Sequence, residues 1–275
     1  MERFIMQDLI AWKNREDRKP LILLGARQVG KTYILKEFGQ REFENVAYIN
    51  CDNNAMVKDL FATDYNIERI LLTIGAITGV NIQAGKTLII MDEIQELHRG
   101  LASLKYFCEE AREYHVAVAG SLLGLTLHQG ESYPVGKVNT LEMFPMTYEE
   151  FLLARGFKQR VDLLQSGMWD VVHSLRTLYI QHLREYYLVG GMPEAVKKFI
   201  DTNDANAVRE VQKEILHAYE KDISKHAPDE QVVRINHVWN SIPSQLAKEN
   251  KKFIYKVVKE GARAREYEDA LQWLG

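Results

Sequence analysis

GARQVGKT, residues 25–32, follows directly on the aliphatic run PLILL of residues 20–24. Gly25, Gly30, Lys31 and Thr32 satisfy the pattern G-x-x-x-x-G-K-[ST] in full. Glycines at these two places let a loop wrap so that its backbone N–H groups converge on phosphate oxygens. A helix starting near Lys31 adds its positive end to the same anion. The lysine can reach the β- and γ-phosphates, and the threonine hydroxyl can bind Mg²⁺. The expected contacts to ATP are therefore Gly25, Ala26, Arg27, Gln28, Val29, Gly30, Lys31, Thr32 and Tyr33. The buried strand before the loop and the helical pattern after it are the setting that this motif requires.

A loop of this kind needs an acid for its metal. TLIIMDEIQ, residues 87–95, places Asp92 and Glu93 at the end of a second aliphatic run. Asp92 is the expected partner of Thr32 in holding Mg²⁺, and Glu93 the candidate base that orients an attacking water. Two acids after a strand could simply open a helix. The spacing from the loop, which leaves room for another strand between the two, favours the catalytic reading. A third polar residue, Ser121 in VAVAGSLL, stands where the γ-phosphate could be sensed, or where a serine caps the next helix.

Outward from these motifs, short aliphatic runs alternate with helical patterns: KPLILLG, NVAYINCD, KTLIIMDEIQ, HVAVAGS and KVNTLEMFPM. Strands apolar on both faces argue for a parallel α/β sheet. Residues 53–80 read as mostly helical with a break at GAITG. After about residue 147 the strand signals stop and the pattern is helical, broken at GGMP, residues 190–193. The reading divides the chain into a nucleotide-binding core (1–155), a helical lid (156–226) and a partial winged-helix-like segment (227–275).

Length and composition agree. A chain of 275 residues that is 46% hydrophobic can bury a core and carry an appendage. A formal net charge of −3 gives no general pull toward nucleic acid or anionic membrane. Cys51 and Cys108 are too few and too separated for a disulfide framework, the N-terminus is unlike a signal peptide, and the weakly polar run at 116–127 is too short to span a bilayer. The expectation is a cytoplasmic protein without membrane contact. The histidines lack ligand spacing, so no zinc site is expected.

LILLGARQVGKT, YINCD, LIIMDEIQ, VAVAGSLL, LEMFPMTYEEFL and YYLVGGMPEAV occur in that order. Together they resemble the prokaryotic AAA-type ATPases that carry a C-terminal domain of unknown function. The resemblance runs through the whole chain. It implies an AAA+ core with the two acids and the serine on adjacent strands, then helices and a winged-helix-like segment. It also implies the catalytic roles of Lys31, Glu93 and Ser121, and continuation past residue 275 into more winged helix and a nuclease-like domain. The chain would then be a truncated form. Ala270, Leu271, Trp273 and Leu274, crowded at the end, would lack a partner.

The resemblance also implies an arginine that reaches a neighbouring subunit's site in a homo-oligomer; this sequence has Lys137 there, with Arg155, Arg176 and Arg184 as other candidate cations. Residues 248–265 are locally basic, which suits either DNA contact or a solvated helix face. Three functions stay open: an ATP hydrolase acting as motor or switch, a nucleotide-controlled DNA-binding module, and a P-loop kinase for a small molecule. Glu93 beside Asp92 favours the first, since a base for water would harm a kinase.

Overall fold

A computed structural model describes residues 1–52, 54–61, 63–120, 133–248 and 252–274. The chain divides into two compact units, Met1–Val208 and Arg209–Gly275.

The first unit is built on a five-stranded, all-parallel sheet: β1 (Leu21–Leu24), β2 (Asn45–Asn50), β3 (Thr87–Asp92), β4 (His115–Ala119) and β5 (Asn139–Glu142). Their order is β2-β3-β4-β1-β5, so β4 lies between the strand before the phosphate loop and the strand carrying the acid pair. Side chains alternate between faces with the period of two that a strand imposes. Leu21, Leu23, Leu88, Ile90, Ala117 and Ala119 pack against α1 (Ile5–Lys13) and α2 (Lys31–Glu42). Ile22, Ile89, Met91, Val116 and Val118 pack on the other face with Ile70 and Ile74 of α3 (Ile67–Thr78) and Leu104 and Phe107 of α4 (Gly100–Glu110). Helices on both sides bury both faces, which is why the strands read as continuous aliphatic runs.

Between β2 and β3 the helix is shorter than its sequence suggests. Residues 55–61 form turns, and α3 begins only at Ile67, where the Asn66 side chain caps the Arg69 N–H at 2.9 Å. The helix continues through Gly75 and ends at Gly79, whose φ of 69° supplies the left-handed C-cap. The tertiary contacts of Ile70 and Ile74 outweigh the local cost of Gly75.

After β5 come α5 (Tyr148–Ala154), α6 (Lys158–Ser166), α7 (Trp169–Ser174), α8 (Arg176–Val189) and α9 (Pro193–Thr202). Thr147 and Glu150 form a capping box that fixes the start of α5. GGMP separates α8 from α9, with Pro193 at the first helical position, where its missing N–H costs nothing.

The next helix, α10 (Ala205–His226), leads into the second unit, which adds α11 (Asp229–Leu246), α12 (Tyr255–Val258) and α13 (Ala264–Leu274). Among its described residues there is no strand. The apolar end of the chain does not lack a partner. Ala270 is buried, and Leu271, Trp273 and Leu274 pack onto a cluster containing Ile223, Ile235 and Val238. An amphipathic α13 buries its own apolar face within the unit, so the crowding at the end is a helix stripe. Among the described residues no helix is long and apolar enough to cross a membrane.

Candidate nucleotide site

Loop 25–30 connects the C-terminal end of β1 to α2. At Gly25 φ is 145°, and a Cβ there would lie 2.2 Å from the Met143 carbonyl oxygen, so any other residue would push away the end of β5. Gly30, with φ of 97°, is the N-cap of α2. Gln28, with φ of 64°, is also left-handed, and such alternation turns successive N–H groups toward one side. Val29 between them is fully buried and pins the loop to the core. The first turn of α2 has no side-chain cap and no acid, so its N–H groups and positive end are left for an anion.

Lys31 is buried, and its Nζ donates to the Gly25 and Ala26 carbonyls at 2.8 Å each. Burial pulls its pKa down, against the opposing pull of Glu93 and Asp92. The Thr32 hydroxyl donates to Oδ2 of Asp92 at 2.6 Å. The two motifs, 60 residues apart in sequence, thus meet in space. Two hard oxygen donors at one point at the mouth of a phosphate loop fit Mg²⁺.

Glu93 follows Asp92 with φ of 53°, an uncommon conformation for a non-glycine residue and one that clusters at functional sites. It leads into a 3₁₀ turn, Ile94–Glu96, and its carboxylate accepts the Gln95 side-chain amide. Of the expected residues, the structure brings together the loop, Lys31, Thr32, Asp92 and Glu93 at the C-terminal edge of the sheet. Ser121 lies outside the described residues.

Two neighbours of the acid pair escaped sequence reasoning. The Tyr48 hydroxyl, on β2, donates to the same Asp92 oxygen at 3.3 Å, and Lys36 Nζ sits 3.4 Å from its ring centroid. Burial first, and then Asp92, push the Tyr48 pKa up to about 12, so the phenol keeps its proton. Cys51 is buried beside the acids, and burial raises its pKa to about 12, which makes it a packing thiol rather than a nucleophile.

A cleft of about 580 Å³ opens beside the loop. Met1, Val29, Tyr33, Met143, Pro193 and Ile200 give it a largely apolar lining, and Glu194 and Asp201 also border it. Tyr33 therefore faces this cleft, and α9 closes it from the helical region. No sequence motif announced this wall, since any apolar residues at these places would serve.

The candidate cations lie elsewhere in the fold. Lys137 precedes the parallel strand β5, at the sheet edge opposite the loop of its own chain, and pairs with Glu109 at 2.8 Å. Arg155 pairs with Glu185 at 3.3 Å and lies over the Phe199 ring. Arg176 and Arg184 are exposed on α8. In the second unit, Lys252, Lys256, Lys259, Arg263 and Arg265 are exposed, with Glu260 and Glu266 among them; this mixture assigns no function.

Residues 17–152 match the family model of an AAA domain, and residues 180–275 match a domain of unknown function, DUF8612. Among solved structures the chain is similar to a Walker-type ATPase of Pyrococcus abyssi, at 17% identity over 99% of this chain and 89% of that one, with a TM-score of 0.54. It is also similar to the ORC2 protein of Aeropyrum pernix, described as ADPNP–ADP complexes, at 16% identity over 99% and 86% of the two chains, with a TM-score of 0.52. At these identities the likeness shows the fold. No curated protein matches the chain.

Proposed function

We propose, from the premise that this chain is an AAA-type P-loop ATPase in fold and family that continues into a domain of unknown function, that it binds MgATP and hydrolyses it to ADP and phosphate as a motor or switch. The observation that carries this reading is the 2.6 Å hydrogen bond between Thr32 and Asp92, which joins the phosphate loop to the acid pair.

Binding uses what the loop already holds. The triphosphate takes the N–H groups of residues 25–32, and Lys31 exchanges the Gly25 and Ala26 carbonyls for phosphate oxygens. The base enters the apolar cleft beside Tyr33 and Pro193. Mg²⁺, when bound between Thr32 and Asp92, supplies neutralisation of phosphate charge. Glu93 accepts a proton from the attacking water and orients it in line with the γ-phosphate. Its backbone is left-handed, and the Gln95 side-chain amide donates to its carboxylate and steadies it.

Phosphate release tests the assignment. Glu93→Gln keeps nearly the parental ATP affinity and turns over about 10²–10⁴-fold more slowly, the worth of a positioned base. Release at the parental rate would remove Glu93 from this role. A parental chain that binds ATP and releases no phosphate would reduce the reading to a nucleotide-binding switch.

A further inference from the structure

Arg3 precedes the first helix and belongs to no motif, yet its side chain is among the most buried cations of the chain, 7% exposed. Its Nη1 donates to the Val29 carbonyl at 2.9 Å, and its Nη2 to the Phe144 carbonyl at 2.6 Å. Its Nε lies 3.1 Å from Oε1 of Glu150. Glu150 is buried too and is held from its other sides. Its Oε1 accepts the Phe4 N–H at 2.7 Å, and its Oε2 accepts the Thr147 N–H at 2.9 Å. The guanidinium is thus fixed among the phosphate loop, the chain just after β5 and the start of α5.

We propose that Arg3 is a positioning residue for phosphate binding: by gripping the Val29 carbonyl it sets the Val29–Gly30 peptide plane, and so aims the Gly30 N–H at the anion. The proposal rests on the reading of this loop as a phosphate site. In a trans peptide the C=O and N–H point in opposite directions, and among the described residues there is no cis peptide bond. A carbonyl held by Arg3 therefore turns the following N–H away from Arg3. Lys31 draws in the Gly25 and Ala26 carbonyls at the start of the loop, whereas among the described residues it is Arg3 that holds the Val29 carbonyl. Gly30, with no side chain and φ of 97°, is the place where a peptide plane flips most readily. The chemistry suits arginine in particular. Its planar fork spans two carbonyls from different segments while its charge lies against the Glu150 carboxylate, with no hydrogen bond from Nε among the described residues, and a lysine cannot span both carbonyls in that plane. As packing alone the pair makes little sense, because a buried ion pair is commonly no more stable than apolar residues of similar volume.

The test measures affinity for ADP by calorimetry in the full chain, beside hydrogen exchange of the loop amides, for the parent, Arg3→Lys and the double variant Arg3→Met/Glu150→Gln. Arg3→Lys keeps a charge opposite Glu150, and the double variant leaves no buried unpaired charge, so the two threaten folding by different routes. Both are expected to bind ADP about tenfold to a hundredfold more weakly, the worth of a hydrogen bond to a charged group. Both are also expected to exchange the amides of residues 28–31 faster while the interior of α2 exchanges at the parental rate. Parental ADP affinity in the folded variants, or unchanged loop exchange, overturns the role of Arg3 and leaves the phosphate reading standing. A parent that binds no ADP overturns both.

Discussion

The two ends of the central sheet are made of the same strands and do opposite things. At the C-terminal edge, β1 runs into a loop with left-handed residues at Gln28 and Gly30, and β3 ends at Asp92 followed by a left-handed Glu93. Polar groups there converge: Lys31, Thr32, Tyr48 and Asp92 all touch one another or the loop. At the N-terminal edge the polar groups make scattered pairs, such as Lys13 with Glu42 and Lys86 with Glu44, and do not gather on one loop. Lys137 pairs with Glu109 in solvent, and His115 opens β4 against the rings of Trp12 and Phe43. A cleft of about 510 Å³ exists at this edge as well, lined by α3 and the residues before β3 and β4, such as Leu71, Ala76 and Ile82. It collects no group of strained backbone and buried charge. A cavity is therefore not what distinguishes the candidate site's end. The distinction is convergent polar chemistry held in costly conformations, the usual mark of a site in an open α/β sheet.

If that contrast is right, the N-terminal edge governs stability and leaves nucleotide binding alone. His115 is the sharpest case. Burial lowers its pKa from 6.5 to about 4, with Arg18 acting in the same direction. The folded chain holds this ring neutral while the unfolded chain protonates it, so its contribution is fully present above pH 6.5 and is lost as pH falls toward 4. The loss amounts to about 3 kcal/mol. Denaturant melts at several pH values should show this slope in the parent and a shallower one in His115→Phe, with ATP affinity at pH 7.5 equal in the two. Equal slopes would contradict the burial argument, and a change in affinity would blur the contrast between the two ends.

A smaller effect sharpens the other end. Tyr48→Phe removes one donor from Asp92 and leaves the ring under Lys36. A hydrogen bond to a charged group is worth about 1.5–3 kcal/mol, and this one is long at 3.3 Å, which places it at the low end, so the Mg²⁺ concentration that half-saturates the enhancement of ATP affinity should rise about tenfold. The melting temperature should move little. An unchanged Mg²⁺ requirement would make Tyr48 a packing residue.

The C-terminal edge was largely legible in the sequence because a triphosphate dictates residue types at fixed spacing. Gly25 is forced by the Met143 carbonyl, Gly30 by its backbone angle, and Asp92 by the Thr32 hydroxyl that donates to it. What surrounds this set was not legible. A hydroxyl for Asp92 or a guanidinium for Val29 can come from any element that folds nearby, and here they come from Tyr48 and Arg3, with no spacing to betray them. The apolar wall supplied by Pro193 and Ile200 is hidden for the same reason. The sequence reading also went astray where tertiary packing overrode local propensity: α3 passes through Gly75, and the apolar end of the chain packs on α10 and α11.

The central claim is that loop 25–32 and Asp92 form one MgATP site, and calorimetry of MgATP with the parent and Lys31→Ala tests it most directly. The parent should bind with a single site per chain. Lys31→Ala should lose measurable binding, because the cation that the loop carbonyls now hold is the one the phosphates need. Equal affinity in the two proteins would contradict the account.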